Sequence, residues 1–255
     1  MRVRTLTAAA ATTLALTSVA ACGSDDGDGT SKDVTLHVFA AASLTDSFTA
    51  LGKQFEEGHP GTKVAFNFGP SSGLVEQIGS GAPADVFASA SPTNMDTLVS
   101  DGDAKDPKTF ATNSMEIAVP PDNPAQIGAL GDLVGQGVKV ALCQPQVPCG
   151  KVAAEVFANA GLTVKPASEE VDVKSVLTKV QLGEVDAGVV YVTDVLAAGD
   201  KVKGVEIPDT QNASTSYPIA ALEGSEHAKE ASEFVDLVLS ADGAKVLEEA
   251  GFAKP

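Results

Sequence analysis

The feature that most constrains the fold is a strand-to-helix unit that recurs along the chain. Residues 34–39 (VTLHVF) form an apolar, β-branched run that is typical of a buried strand. Small residues at 40–43 (AAAS) follow, and residues 45–57 then carry apolar side chains at helical spacing. The same order of strand, loop and helix returns from residue 64 and again from residue 139. This alternation predicts an α/β fold with a mostly parallel sheet.

The loops that end these strands are rich in neutral hydrogen-bond donors. Ligands of open α/β sheets bind at the carboxyl ends of strands, and helix N-termini favour anions because their first amides are unpaired. The pattern therefore indicates an anion site. The residues themselves also allow ordinary structural interpretations: Ser43 as a helix N-cap, Val173 as a core residue and Tyr191 as a buried tyrosine bonded to backbone.

Four motifs give the chain a resemblance to a known family, the molybdate-binding proteins of bacterial ABC importers. The similarity runs in the family's order from about residue 34 to residue 252. The motifs are FAAASL at 39–44, GSGAPADV at 79–86, VPCG at 147–150 and GVVY at 188–191.

The resemblance implies a set of oxyanion ligands in this sequence. Hydroxyls and amides of Ser43 and Ser71, the amides of Cys149 and Val173, and the hydroxyl of Tyr191 match the family's positions. Cys149 stands where relatives often have alanine, which is harmless if only its amide binds. The implied ligand is molybdate or tungstate, with no cofactor and no further metal, and another oxyanion such as sulfate is the alternative.

The resemblance also implies a two-lobed α/β fold of the type II periplasmic-binding-protein class. Each lobe is expected to be a mixed, mostly parallel sheet flanked by helices, and two crossover strands are expected to join them. Lobe 1 is predicted at 34–118 plus 215–255 and lobe 2 at 119–214, with the first crossing in the strand 114–119. The strand-loop-helix pattern by itself is equally compatible with one sheet and no hinge.

The N-terminus predicts a processed lipoprotein leader. Residues 1–21 combine arginines with a short apolar core and small residues before Cys22, so we expect a signal peptide and a lipid on Cys22. An ordinary signal peptide with an incidental cysteine is the alternative. Residues 22–33 are polar and rich in Gly, Asp and Ser, which predicts a flexible tether on the outer face of the cell membrane.

The charge balance excludes several classes of partner. Without Arg2 and Arg4 of the leader, the chain has 15 basic and 34 acidic side chains, which gives a net charge of −19. Such a chain repels nucleic acid and has no guanidinium to hold an anion, so neutral donors must do so. Hydroxyls and amides favour a fully ionised oxyanion over monohydrogen phosphate, which needs an acceptor. Asp46 and Asp85 lie near the candidate loops and are interpreted as structural caps or turn residues.

The sequence also bears on a hydrolase site, a disulfide and a zinc site. Residues 69–73 (GPSSG) match the nucleophile elbow of a lipid-anchored serine hydrolase using Ser71, but only His227 follows that serine and no oxyanion motif is present. Cys143 and Cys149 form an even pair in an oxidising compartment, and we expect a disulfide between them. No histidine stands near either cysteine at ligand spacing, which disfavours a zinc site.

Together these observations predict a solute receptor and not an enzyme. It is expected to be a lipid-anchored extracytoplasmic monomer that closes on one small oxyanion. Its partners are expected to be a membrane permease and the cytoplasmic ATPase that drives it, with no nucleic acid. A surface interaction protein that uses this fold without a ligand is the remaining alternative.

Overall fold

The structure is a computed structural model that describes residues 33–255. The predicted signal peptide 1–21, Cys22 and all but the last residue of the predicted tether 22–33 lie outside the described residues. Within residues 33–255, no helix has the length and apolar character that a membrane span requires.

Strands and helices alternate along the described chain, as the sequence predicts. The strands are β1 (Val34–Ala41), β2 (Thr62–Gly69), β3 (Val86–Ala88), β4 (Lys108–Val119), β5 (Val140–Cys143), β6 (Ser168–Glu170), β7 (Ala187–Tyr191), β8 (Lys203–Val205) and β9 (Ser214–Ala221). The helices are α1 (Thr45–Gly58), α2 (Ser71–Gly79), α3 (Pro92–Asp101), α4 (Pro148–Ala160), α5 (Val173–Gln181), α6 (Val192–Ala198), α7 (Ala228–Leu239) and α8 (Ala241–Glu249).

The nine strands form one continuous sheet in the order β2-β1-β3-β9-β4-β7-β5-β6, with β8 beside β4. Strand β1 pairs in parallel with β2 and β3, and β5 pairs in parallel with β6 and β7. Every antiparallel ladder involves β4 or β9. The two outer parts of the sheet are therefore parallel, and the two long strands between them connect these parts.

Strand β4 crosses from one part of the sheet to the other. Its first half, from Lys108 to Ser114, pairs with β9, and its second half, from Met115 to Ala118, pairs with β7. The sequence predicted the strand only from residue 114. The earlier residues, KTFATN, lack a strong apolar run, and they form a strand because β9 lies alongside them.

Two large apolar cores lie on either side of this crossing. One contains Phe48, Phe55 and Phe234 from α1 and α7, together with apolar residues of β1 and β9. The other is formed by β5, β7, α4, α5 and the second half of β4. Met115 packs in this second core, so the chain enters it before residue 118. The predicted lobes, 34–118 plus 215–255 and 119–214, stay a prediction.

Candidate functional site

All the predicted ligand residues line one small cavity. Its empty volume, including the open mouth, is about 230 Å³. The cavity is lined by Ala41, Ala42, Ser43, Gly69, Pro70, Ser71, Ala90, Pro148, Cys149, Asp172, Val173 and Tyr191. Segments that are more than 100 residues apart in the sequence therefore meet here, with no lysine among the lining side chains.

Each predicted ligand residue lies at or next to the N-terminus of a helix. Ser43 is in a 3₁₀ turn that runs into α1, and Ser71 is the first residue of α2. Cys149 is the second residue of α4, Val173 is the first of α5, and Tyr191 directly precedes α6. Amides in the first turn of a helix have no backbone acceptor within it, and the positive ends of the helix dipoles face the cavity.

The two serine hydroxyls are held by defined partners. Ser43 Oγ lies 2.9 Å from the hydroxyl of Tyr217, and Ser71 Oγ accepts a hydrogen bond from the backbone N–H of Ala90 at 3.0 Å. Ser43 makes no capping bond to a backbone N–H, so the N-cap interpretation is wrong. The Ser71 proton is not used in its bond with Ala90, so this hydroxyl can donate into the cavity.

Tyr191 presents a buried hydroxyl that lacks a hydrogen-bond partner. Only 1% of the residue is exposed, and no described atom pairs with its hydroxyl oxygen. Burial raises the pKa of Tyr191 well above its ordinary value, so the phenol stays neutral and can donate. An unpaired buried hydroxyl is costly, so a ligand that accepts a hydrogen bond at this place would be favoured.

Cys149 is held in place by the loop that precedes α4. The structure joins Cys143 and Cys149 by a disulfide, with their Cα atoms 5.8 Å apart. Gly150 follows, and a Cβ at this position would overlap the carbonyl oxygen of Gln144. The first turn of α4 is therefore packed directly against the loop, which fixes the direction of the Cys149 amide.

Three polar residues beside the cavity were not predicted as part of the site. Tyr217, from β9, supports Ser43, and its ring centroid lies 6.2 Å from that of Tyr191. Asp194 is 1% exposed, and its Oδ2 accepts the backbone N–H of Tyr191 at 3.1 Å. Lys174 Nζ lies 3.3 Å from Asp194 Oδ1. Lys174 directly follows the predicted ligand Val173, which is the one sequence signal that could have found it.

Burial dominates the ionisation of Asp194. It raises the pKa of the carboxyl to about 6, although the ammonium of Lys174 and the N–H of Tyr191 both act to lower it. Above that pKa a negative charge lies directly behind the Tyr191 backbone.

The two aspartates that the sequence singled out have different environments. Asp85 is structural, since its carboxylate accepts the backbone N–H of His37 at 2.7 Å and the hydroxyl of Ser225 at 2.6 Å. Asp46 is more than a cap or turn residue. Its Oδ2 lies 2.9 Å from Lys174 Nζ, which connects α1 to α5.

The residues of the rival sites are not brought together. His227 lines a separate cavity with Asp85, away from the cavity that Ser71 lines. Across residues 33–255, no group of three or more His, Cys, Asp or Glu residues is placed to hold a metal ion. What converges in this structure is a set of neutral donors and helix N-termini.

The family described as bacterial extracellular solute-binding protein matches residues 36–253 of the chain. That span covers nearly all of the described residues. The chain belongs to this family. The members of this family are extracellular solute-binding proteins, in agreement with the predicted extracytoplasmic location.

Relatives within the family include proteins of named function. The chain is 42% identical over 241 residues to the molybdate-binding protein ModA of Mycobacterium tuberculosis (strain H37Rv), covering 92% of each chain. It is 36% identical over 245 residues to the putative ABC transporter substrate-binding lipoprotein YvgL of Bacillus subtilis, again covering 92% of each.

Solved structures of similar fold confirm the predicted fold class. One is the substrate-binding domain of a putative molybdenum ABC transporter from Clostridium difficile, with a TM-score of 0.66, 31% identity and coverage of 87% of this chain and 99% of that one. Another is the periplasmic molybdate-binding protein of Azotobacter vinelandii, with a TM-score of 0.76, 21% identity and coverage of 86% and 99%. The fold is a type II periplasmic-binding-protein fold.

Proposed function

We propose that the chain is the molybdate receptor of an ABC importer. Molybdate, and tungstate with it, binds in the cavity through the hydroxyls and amides of Ser43 and Ser71, the amides of Cys149 and Val173, and the hydroxyl of Tyr191. The observation that carries the proposal is the buried, unpaired Tyr191 hydroxyl in a cavity where helix N-termini converge.

The chemistry of the cavity supports a fully ionised oxyanion. Its donors are hydroxyls and amides, and hydrogen bonds to a charged group contribute about 1.5–3 kcal/mol each. Asp172 is the one carboxylate among the lining residues, and its Oδ1 already accepts the backbone N–H of Ser175 at 2.8 Å. Asp172 is not one of the predicted ligands, and because none of those ligands is a carboxylate, the set favours an anion without a proton over monohydrogen phosphate.

The receptor delivers its ligand to a membrane permease driven by a cytoplasmic ATPase, and it performs no chemistry on the ligand. Two lobes close over the ion, with β4 and β9 as the crossing strands. A lipid on Cys22 and the polar tether hold the receptor, as a monomer, at the outer face of the cell membrane. The name of the Bacillus subtilis relative, a putative lipoprotein, supports this anchoring.

A thermal-unfolding panel tests the proposal. The purified protein is heated with molybdate, tungstate, sulfate, phosphate or no added ion. A ligand present at 100 times its Kd adds about 2.7 kcal/mol to the free energy of unfolding. For a chain of this length, that corresponds to a rise in Tm of roughly 5–11 °C.

We expect molybdate and tungstate to raise the Tm, and sulfate and phosphate to leave it unchanged. A rise with sulfate or phosphate alone would keep the fold and overturn the substrate. No rise with any of the four ions would contradict the receptor function and favour an interaction protein.

A further inference from the structure

Lys174 connects the two large apolar cores next to the cavity. It lies in the first turn of α5, whose apolar face packs in the core with β5 and β7. Its Nζ is 2.9 Å from Oδ2 of Asp46, in the first turn of α1, whose apolar face packs in the other core. Val173 is the first residue of α5, and Ser43 lies in the 3₁₀ turn that runs into α1, so both helices begin at the cavity.

We propose that Lys174 is a positioning residue for anion binding, and that its ion pair with Asp46 acts as a latch that keeps the cavity closed. The inference rests on the proposed function, because a latch has an effect only if an ion is retained. Lys174 is not one of the predicted ligands, and it is not among the residues that line the cavity.

The charges around Lys174 explain why a lysine is needed there. Asp194 is buried beside Tyr191, and an unpaired carboxylate at that place would repel a bound dianion. Lys174 Nζ lies 3.3 Å from Asp194 Oδ1 and offsets that charge. Partial burial disfavours the ammonium, but Asp194 and Asp46 outweigh this effect and raise the pKa of Lys174. The cation therefore stays charged, and its three N–H donors are enough to pair with Asp46 as well as with Asp194.

Asp46 can be substituted without disturbing the apolar core. The side chain of Asp46 is 63% exposed and that of Lys174 is 27% exposed, whereas Asp194 is buried. Asp46→Asn is thus a substitution that the fold tolerates. Asp236→Asn on α7 is the control for the loss of one negative charge, since Asp236 is exposed, makes no ion pair with a described residue and lies outside the cavity.

The direction in which Asp46→Asn changes the affinity for molybdate distinguishes a latch from a simple effect of charge. Removing a negative charge near a dianion strengthens binding if only the electrostatic field matters. Removing half of a latch weakens binding because the open form becomes easier to reach. An ion pair of this exposure supports an expected increase of about two- to five-fold in the Kd for molybdate, mainly through faster dissociation.

The experiment measures the Kd by titration calorimetry and the dissociation rate by chase with excess tungstate, for the wild type, Asp46→Asn, Asp46→Glu and Asp236→Asn. We expect Asp46→Asn alone to weaken binding, and Asp46→Glu to restore most of the affinity. In a Lys174→Gln background, Asp46→Asn should have no further effect, because its partner is gone.

Two results overturn the inference. One is equal or tighter binding by Asp46→Asn compared with Asp236→Asn, and the other is an undiminished effect of Asp46→Asn in the Lys174→Gln background. Either leaves the proposed function intact as long as the wild type binds molybdate. A wild type that binds no oxyanion contradicts the proposed function itself.

Discussion

The two tyrosines of the chain meet beside the cavity, but their hydroxyls have different environments. The Tyr217 hydroxyl lies 2.9 Å from Ser43 Oγ, whereas the Tyr191 hydroxyl has no partner among the described residues. Both rings are fully buried. At the scale of single residues, one hydroxyl thus stabilises the ligand-free protein, and the other is left available for a ligand.

This difference predicts opposite effects of the same substitution. Tyr191→Phe should lower molybdate affinity by about 10- to 150-fold, since one bond to a charged ligand is lost. It should not lower the Tm of the ligand-free protein, because no internal hydrogen bond is removed. Tyr217→Phe should instead cost about 0.5–1.5 kcal/mol of stability without ligand. Titration calorimetry and thermal unfolding of both variants check this, and unchanged affinity in Tyr191→Phe would remove that residue from the site.

At the scale of elements, the first turn of α4 is the part of the site with the least freedom. The disulfide closes the short loop between β5 and α4, and Gly150 lies against the carbonyl of Gln144. The loop and the helix therefore hold each other in one arrangement. The Cys149 amide can donate to an ion only if this arrangement is kept.

A single methyl group at Gly150 should disturb this element. Gly150→Ala places a Cβ where backbone atoms of Gln144 and Cys143 already lie, so the loop or the helix must move. We expect a loss of about 1–3 kcal/mol in stability together with weaker molybdate binding. Gly58→Ala in α1 is the control, because nothing lies within 4 Å of the added Cβ. Equal Tm and Kd values in the two variants would show that the contact at Gly150 is not restrictive.

At the scale of the whole molecule, an anion must approach a strongly acidic protein. The full chain carries 17 basic and 34 acidic side chains, a net charge of −17. The site overcomes this field only at short range, where several donors act on the ion at once. Long-range electrostatics therefore slow the association of a dianion.

Salt should consequently accelerate association. Raising NaCl from 0.01 M to 0.1 M shortens the screening length from about 30 Å to about 10 Å and weakens the repulsion. We expect the association rate constant for molybdate to increase by up to about tenfold in stopped-flow measurements. A rate that falls with salt would mean that the positive helix ends, and not the net charge, govern the approach.

The local sequence was sufficient to predict the order of elements and the types of donor. The apolar pattern located the strands that end at Ala41, Gly69, Cys143 and Tyr191, and the family motifs placed candidate ligands at or after these strand ends. The three-residue strand β6 escaped prediction because its polar residues, SEE, form a strand only by pairing with β5. The helix predicted over 45–57 is α1, Thr45–Gly58.

Only the tertiary structure decided which side chains surround these donors. Ser43 meets Tyr217 across 174 residues of sequence, and Lys174 meets Asp46 across 128. Periodicity reports which face of an element is apolar, but it contains no information on which polar groups meet once distant elements pack. The sequence by itself therefore determined an α/β chain with neutral donors at its strand ends. The packing of the two cores determined that these donors share one cavity, with a buried Asp194 and a bridging Lys174 beside it.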